Sequence, residues 1–98
     1  ANPSSLAELV EKFPASGRGH LPLADYAHLR MAEGLLANYR DENERAIDHF
    51  RFLLSIAAEF PDRGTLAVAH FWIGRCHRKE GRYDESYRST QAAVEIAR

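Results

Sequence analysis

Three residues in the second half of the chain carry side chains able to do chemistry: His70, Cys76 and His77. Imidazole and thiolate are zinc ligands, and together they can form a nucleophile and its base. Their spacing argues against both uses. On a helix His70 and His77 stand two turns, about 10 Å, apart, while zinc holds each ligand at about 2.0–2.3 Å. Cys76 and His77 point about 100° away from each other on a helix. A nucleophile pair needs hydrogen-bond reach and a third, orienting group. A single cysteine also excludes an internal disulfide framework and a multi-cysteine zinc site, so Cys76 reads as a small buried apolar group. His49 beside Asp48 or Glu44 has no better geometry. Glu42, Glu44 and Asp48, interleaved with Arg45 and Arg51, read as a solvated edge of helical charge partners. Gly17-Arg18-Gly19 lacks the Lys-Ser/Thr of a phosphate loop, and no strand precedes it. With no acid–base or nucleophile geometry, the sequence points to no enzyme, no metal and no cofactor.

The elements that must carry these residues are those of one small ordered domain. The 98 residues are 45% hydrophobic and 28% charged, enough apolar surface to offset the entropy of ordering. Thirteen Lys and Arg nearly balance fourteen Asp and Glu, for a formal charge of -1. A general nucleic-acid binder needs a basic surplus, so no nucleic acid is expected. No apolar run approaches the roughly 20 residues of a membrane helix, and the start lacks the pattern of a signal peptide. The one free thiol fits a reducing compartment, and the expectation is a cytoplasmic protein. The chain begins at Ala1 and ends at Arg98 inside a helical pattern, so it reads as a piece of something longer.

Hydrophobic spacing predicts five helices and no strand. Ser5 and Glu8 form a capping box before Leu6, Leu9, Val10 and Phe13, giving a helix over about 4–13 that Pro14 stops. Residues 14–20 are a loop by composition. A second helix starts near Pro22, with Leu23, Tyr26, Ala27, Arg30, Met31, Gly34 and Leu35 at i, i+3, i+4 spacing. Leu29, Leu36 and Tyr39 make a second stripe, so this helix packs on two sides. After the turn Arg40-Asp41-Glu42-Asn43, capped by Asp or Asn, comes the clearest stripe. It runs Ala46, Ile47, Phe50, Leu53, Leu54, Ala57 and Ala58, until Pro61-Asp62-Arg63-Gly64 ends the helix. Thr65 caps a fourth helix with Leu66, Ala69, Ile73 and Cys76 on one face, closed by Gly81. Asp84 caps a fifth, with Tyr87, Thr90, Ala93, Val94 and Ala97 inward.

Helices two to five form two pairs. Gly34 and Gly74, Ala27 and Ala67, and the turns at Asp41 and Gly81 are each 40 residues apart. The second unit carries Ile73-Gly74, Gly81, Tyr83 and Ala93-Val94 at the mutual spacing of the tetratricopeptide repeat family, which the chain resembles over Ala27 to Arg98. The first unit matches through Gly34, Ala46 and Phe50, with Pro61 as a late helix stop. The family's Trp and Tyr positions are occupied by Arg30 and Ala37 in unit one and by His70 and His77 in unit two. Ser86 and Thr90 replace the usual small and aromatic residues, and the 40-residue offset is that of long-helix variants.

The resemblance implies an all-α solenoid. Residues 1–20 would form a capping helix and loop, and two antiparallel hairpins would span about 21–60 and 65–98. It implies a scaffold that holds a peptide or partner segment in a groove lined by the first helix of each pair. Carried over position by position, that groove is His28, Met31, Leu35 and Asn38 in unit one, and Val68, Phe71, Arg75 and Arg78 in unit two. Asn38, Arg75 and Arg78 would anchor a carboxylate. The competing reading places Met31, Leu35, Val68 and Phe71 against the N-terminal helix as core. The final helix leaves Val94 and Ile96 with nothing after them, which predicts that the chain self-associates or belongs to a longer one. The alternative function is an oligomerisation or sensory segment of a larger regulator, such as a bacterial transcription factor.

Overall fold

The computed structural model describes Ala7, Val10, Glu11 and residues 22–56 and 63–98. Four helices are delimited among them: α1 (Leu23–Tyr39), α2 (Asn43–Ser55), α3 (Arg63–Lys79) and α4 (Tyr83–Ala97). No described residue is in a strand, so the fold is all-α. Five helices were expected. Of the segment expected as the first, Ala7, Val10 and Glu11 are helical; the rest, with the loop at 14–20, lies outside the described residues. Ala57, Ala58, Pro61 and Asp62 lie outside them too. None of the helices is long and apolar enough to cross a membrane.

Each hairpin is closed by the same turn, and local chemistry accounts for it. Asp41 and Gly81 take φ values of 60° and 77°, the left-handed conformation that stops a helix. Gly adopts it without cost, and Asp is among the few other residues that tolerate it. The Glu42 N–H donates to the Ala37 carbonyl at 2.9 Å, and the Arg82 N–H to the His77 carbonyl at 2.8 Å. The Asp41 and Gly81 N–H groups bond two residues inside their helices, to Asn38 and Arg78. Both are the two-bond ending that satisfies the last carbonyls of a helix, in the same register 40 residues apart.

The side-chain caps expected for α2 and α4 are absent. Glu42 and Arg82 occupy the cap positions of α2 and α4 without a side-chain hydrogen bond. Backbone continuity through the tight turns already orders these starts, so Asp41, Asn43 and Asp84 are not needed as caps. Helix α3 begins at Arg63, two residues before Thr65, so Arg63 and Gly64 open a helix where the composition suggested an ending.

The core is centred on α2. Ala46, Ile47, Phe50 and Leu53 are essentially sealed from solvent, against Ala27 and Ala37 of α1 and Ala69, Ile73 and Cys76 of α3. Each of the three larger side chains contributes about 2 kcal/mol by leaving water. Helix α2 packs against both α1 and α3, whereas α4 packs against α3. That difference overturns the inward row expected for α4. Only Ala93 is buried there, while Tyr87, Thr90, Val94 and Ala97 are exposed. Ile96, expected to be open, is half-buried, and its carbonyl accepts a 2.9 Å bond from Arg63. On α1, Leu29 and Leu36 are buried on the second stripe, but Tyr39 is exposed.

Polar bonds stitch the turn ends of the two hairpins together. Lys79 Nζ lies 2.7 Å from both the Asn38 carbonyl and the Asp41 carboxylate. Asn43 donates to Glu80 at 3.2 Å, and Arg82 pairs with Glu44.

Candidate functional site

Helix α3 presents a row of exposed residues at i, i+3, i+7 and i+10: Val68, Phe71, Arg75 and Arg78. Val68 and Phe71 are each 42% exposed and adjoin on one face of the helix. Phe71 meets Trp72 edge-on, with ring centroids 5.5 Å apart and planes at 86°. The Arg75 guanidinium lies 5.5 Å from the Trp72 ring and 5.9 Å from that of Phe71, within cation–π range. The helix spacing makes this arrangement, since Arg75 is four residues after Phe71 and three after Trp72. At the turn end, Arg75, Arg78, Lys79 and Tyr83 line an open depression of about 330 Å³. Arg75 and Arg78 have no ion-pair partner among the described residues, whereas Lys79 is committed to Asp41. The row is therefore apolar at one end and cationic at the other.

The four residues expected from α1 fare differently. His28 is exposed. Met31 and Leu35 are half-buried and pack against the core formed by α1, α2 and α3. Asn38 was expected to present a free amide. It is instead 8% exposed, and its Nδ2 donates to Cys76 Sγ at 3.2 Å. The amide is consumed because the turn end of α1 lies against α3. Trp72, Lys79 and Tyr83 were not among the expected groove residues. For Trp72 the signal was present in the i, i+3 spacing to Arg75. For Lys79 and Tyr83 it was not, because they meet only through the turn.

The residues that prompted a chemical reading are now placed. Cys76 is fully buried, and burial pushes its thiol pKa up despite the Asn38 amide, so it stays protonated and unreactive at neutral pH. His70 and His77 line one depression of about 260 Å³ with Arg51, Leu54, Glu85 and Arg88. His77 Nδ1 accepts a 2.9 Å hydrogen bond from Arg82 Nε, which places the imidazole proton on Nε2. Arg82 also pairs with Glu85 at 3.2 Å and with Glu44. Burial lowers the pKa of His77, with the Arg82 charge adding to it and Glu85 opposing it. Burial alone lowers that of His70. Among the described residues no group of His, Cys, Asp or Glu is arranged to hold a metal ion.

These two histidines give the fold a pH dependence with a defined sign. In the unfolded chain both titrate near the ordinary value of 6.5, and in the fold lower. As pH falls, the unfolded state takes up protons first. Their contribution to stability is complete above about pH 6.5 and declines below it, until the folded-state pKa values are passed. Urea midpoints at pH 7.5 and 5.8 are expected to show the loss, and His77→Gln to reduce it. An unchanged pH dependence in that variant would assign the effect to other groups.

Compared with known proteins, the chain matches no family model, no curated protein and no solved structure.

Proposed function

We propose that this chain is a protein-interaction module of the tetratricopeptide-like helical-repeat kind, and that it holds a segment of a partner protein along α3. The observation that carries the reading is the exposed row Val68, Phe71, Arg75 and Arg78, with aromatic surface beside guanidinium groups that have no ion-pair partner among the described residues. Apolar contact at Val68 and Phe71 supplies affinity, and the guanidinium groups orient a carboxylate by charge-assisted hydrogen bonds. Of the α1 residues, His28 is exposed, while Met31 and Leu35 pack on the core and Asn38 is bonded to Cys76, so the α3 row carries the contact. The shared turn at Asp41 and Gly81, and the glycines 40 residues apart, support a repeat of hairpins docked in one orientation. A cytoplasmic setting suits the free thiol. The second reading, an oligomerisation segment of a larger regulator, is favoured by the uncovered face of α4.

Phage display of random short peptides on the immobilised chain tests the proposal. Selected peptides are expected to combine an apolar residue with Asp or Glu. Combining Phe71→Ala with Arg75→Ala is expected to weaken their binding at least about tenfold, or 1.4 kcal/mol, with the helical circular dichroism unchanged. Failure to select any peptide, or selected peptides that bind the double variant equally well, overturns the assignment.

A further inference from the structure

The two hairpins differ in one respect that their equivalence makes visible. Adding 40 to Asn43, Ile47, Phe50 and Leu54 of α2 reaches Tyr83, Tyr87, Thr90 and Val94 of α4. On α2 this row is covered. Ile47 and Phe50 are buried, Asn43 is bonded to Glu80, and Leu54 shares a depression with His70 and Ile73. On α4 the equivalent row is open, with Tyr83 68%, Tyr87 66% and Val94 42% exposed. Two tyrosines and a valine at i, i+4 and i+11 form a helical seam of the kind that another helix covers.

We propose that this seam pairs with its own counterpart, so that two copies of the chain associate through antiparallel α4 helices about a twofold axis near Gln91. The charge pattern beside the seam selects this occupant. Asp84, Arg88, Gln91, Glu95 and Arg98 run along one flank as minus, plus, neutral, minus, plus. Reversing the row about Gln91 sets Asp84 against Arg98 of the second copy and Arg88 against its Glu95. Every charge meets its opposite. A twofold interface requires such self-complementarity, because each residue contacts the other copy's equivalent surface. Among the described residues, Arg98 pairs with Glu95 in a 3.7 Å surface contact, loose enough to leave it available.

One helix of 15 residues per copy makes a small interface, so a weak dimer is expected. Tyr83 also lines the depression beside Arg75 and Arg78, but Tyr87, Val94 and the charged flank lie outside it, so failure of the dimer leaves the peptide-binding reading on α3 untouched.

Sedimentation equilibrium of the 98-residue chain tests it. A monomer–dimer equilibrium is expected, with Tyr87→Glu raising Kd at least about tenfold by placing charge in the seam. Asp84→Arg alone and Arg98→Asp alone are each expected to weaken self-association severalfold, since each opposes like charges across the axis. Mixing those two variants is expected to restore association, because the mixed pair recovers both opposite-charge contacts. A strictly monomeric chain overturns the proposal and assigns the seam to a helix of other origin. A dimer insensitive to Tyr87→Glu, or variants that fail to rescue each other, overturns it as well.

Discussion

Truncating Phe50 to alanine is expected to lower the unfolding free energy by about 4 kcal/mol, the largest effect of any single substitution considered for this fold. The ring is fully enclosed, in the middle of a helix packed against both α1 and α3. Removing it forfeits the transfer of the ring out of water and leaves a cavity that α1 and α3 cannot easily close, because their turn ends are fastened by Lys79, Asn43 and Arg82. A domain of this size has about 5–15 kcal/mol in total. The melting temperature is therefore expected to fall by more than about 15 °C, read by the helical circular dichroism signal. A loss under about 1 kcal/mol would mean that the α1–α2–α3 stack is not the cooperative core.

Gly34→Ala is the second large effect. An added Cβ would stand 2.6, 2.8 and 3.0 Å from three atoms of the Phe50 ring, well inside contact distance. The ring is sealed on all sides and cannot swing away, so α1 and α2 must part. Alanine gains about 1 kcal/mol of helix propensity, and overpacking of this kind costs about 1–3 kcal/mol or more. A net loss of about 2 kcal/mol in urea denaturation is expected. The two predictions are coupled. Introducing Gly34→Ala into a Phe50→Leu background is expected to cost much less than in the natural sequence, because the smaller side chain leaves the methyl room. Additive losses would show that Gly34 acts through backbone flexibility instead. The second hairpin is looser at the equivalent place. There a Cβ on Gly74 would meet the Thr90 hydroxyl at 3.0 Å and the Ser86 carbonyl at 3.1 Å.

The contrast between α2 and α4 shows where reading the chain succeeded and where it failed. Both helices carry apolar residues at helical spacing, and for both the pattern predicted an inward face. Ile47 is buried and Tyr87 is 66% exposed. Period reports that a side chain shares a face with its neighbours, not whether anything lies against that face. The same limit applies to Asn38. Its place at the end of α1 is legible, but its bond to Cys76 spans 38 residues and exists only because the hairpins dock. Trp72 and Arg75, by contrast, meet within one turn of helix, so their contact was open to inspection in the spacing alone.

Short-range spacing and turn chemistry thus decided the all-α class, the pairing of helices, the left-handed stop at Gly81 and the close approach at Gly34. These depend on interactions within a few residues, or on the space that a missing side chain leaves. Docking of one hairpin on the other decided the rest: which apolar row became core, which amide was consumed, and which row of α3 stayed exposed. Such outcomes hang on contacts between residues some forty positions apart, whose free energy is shared among many side chains and written in none of them singly.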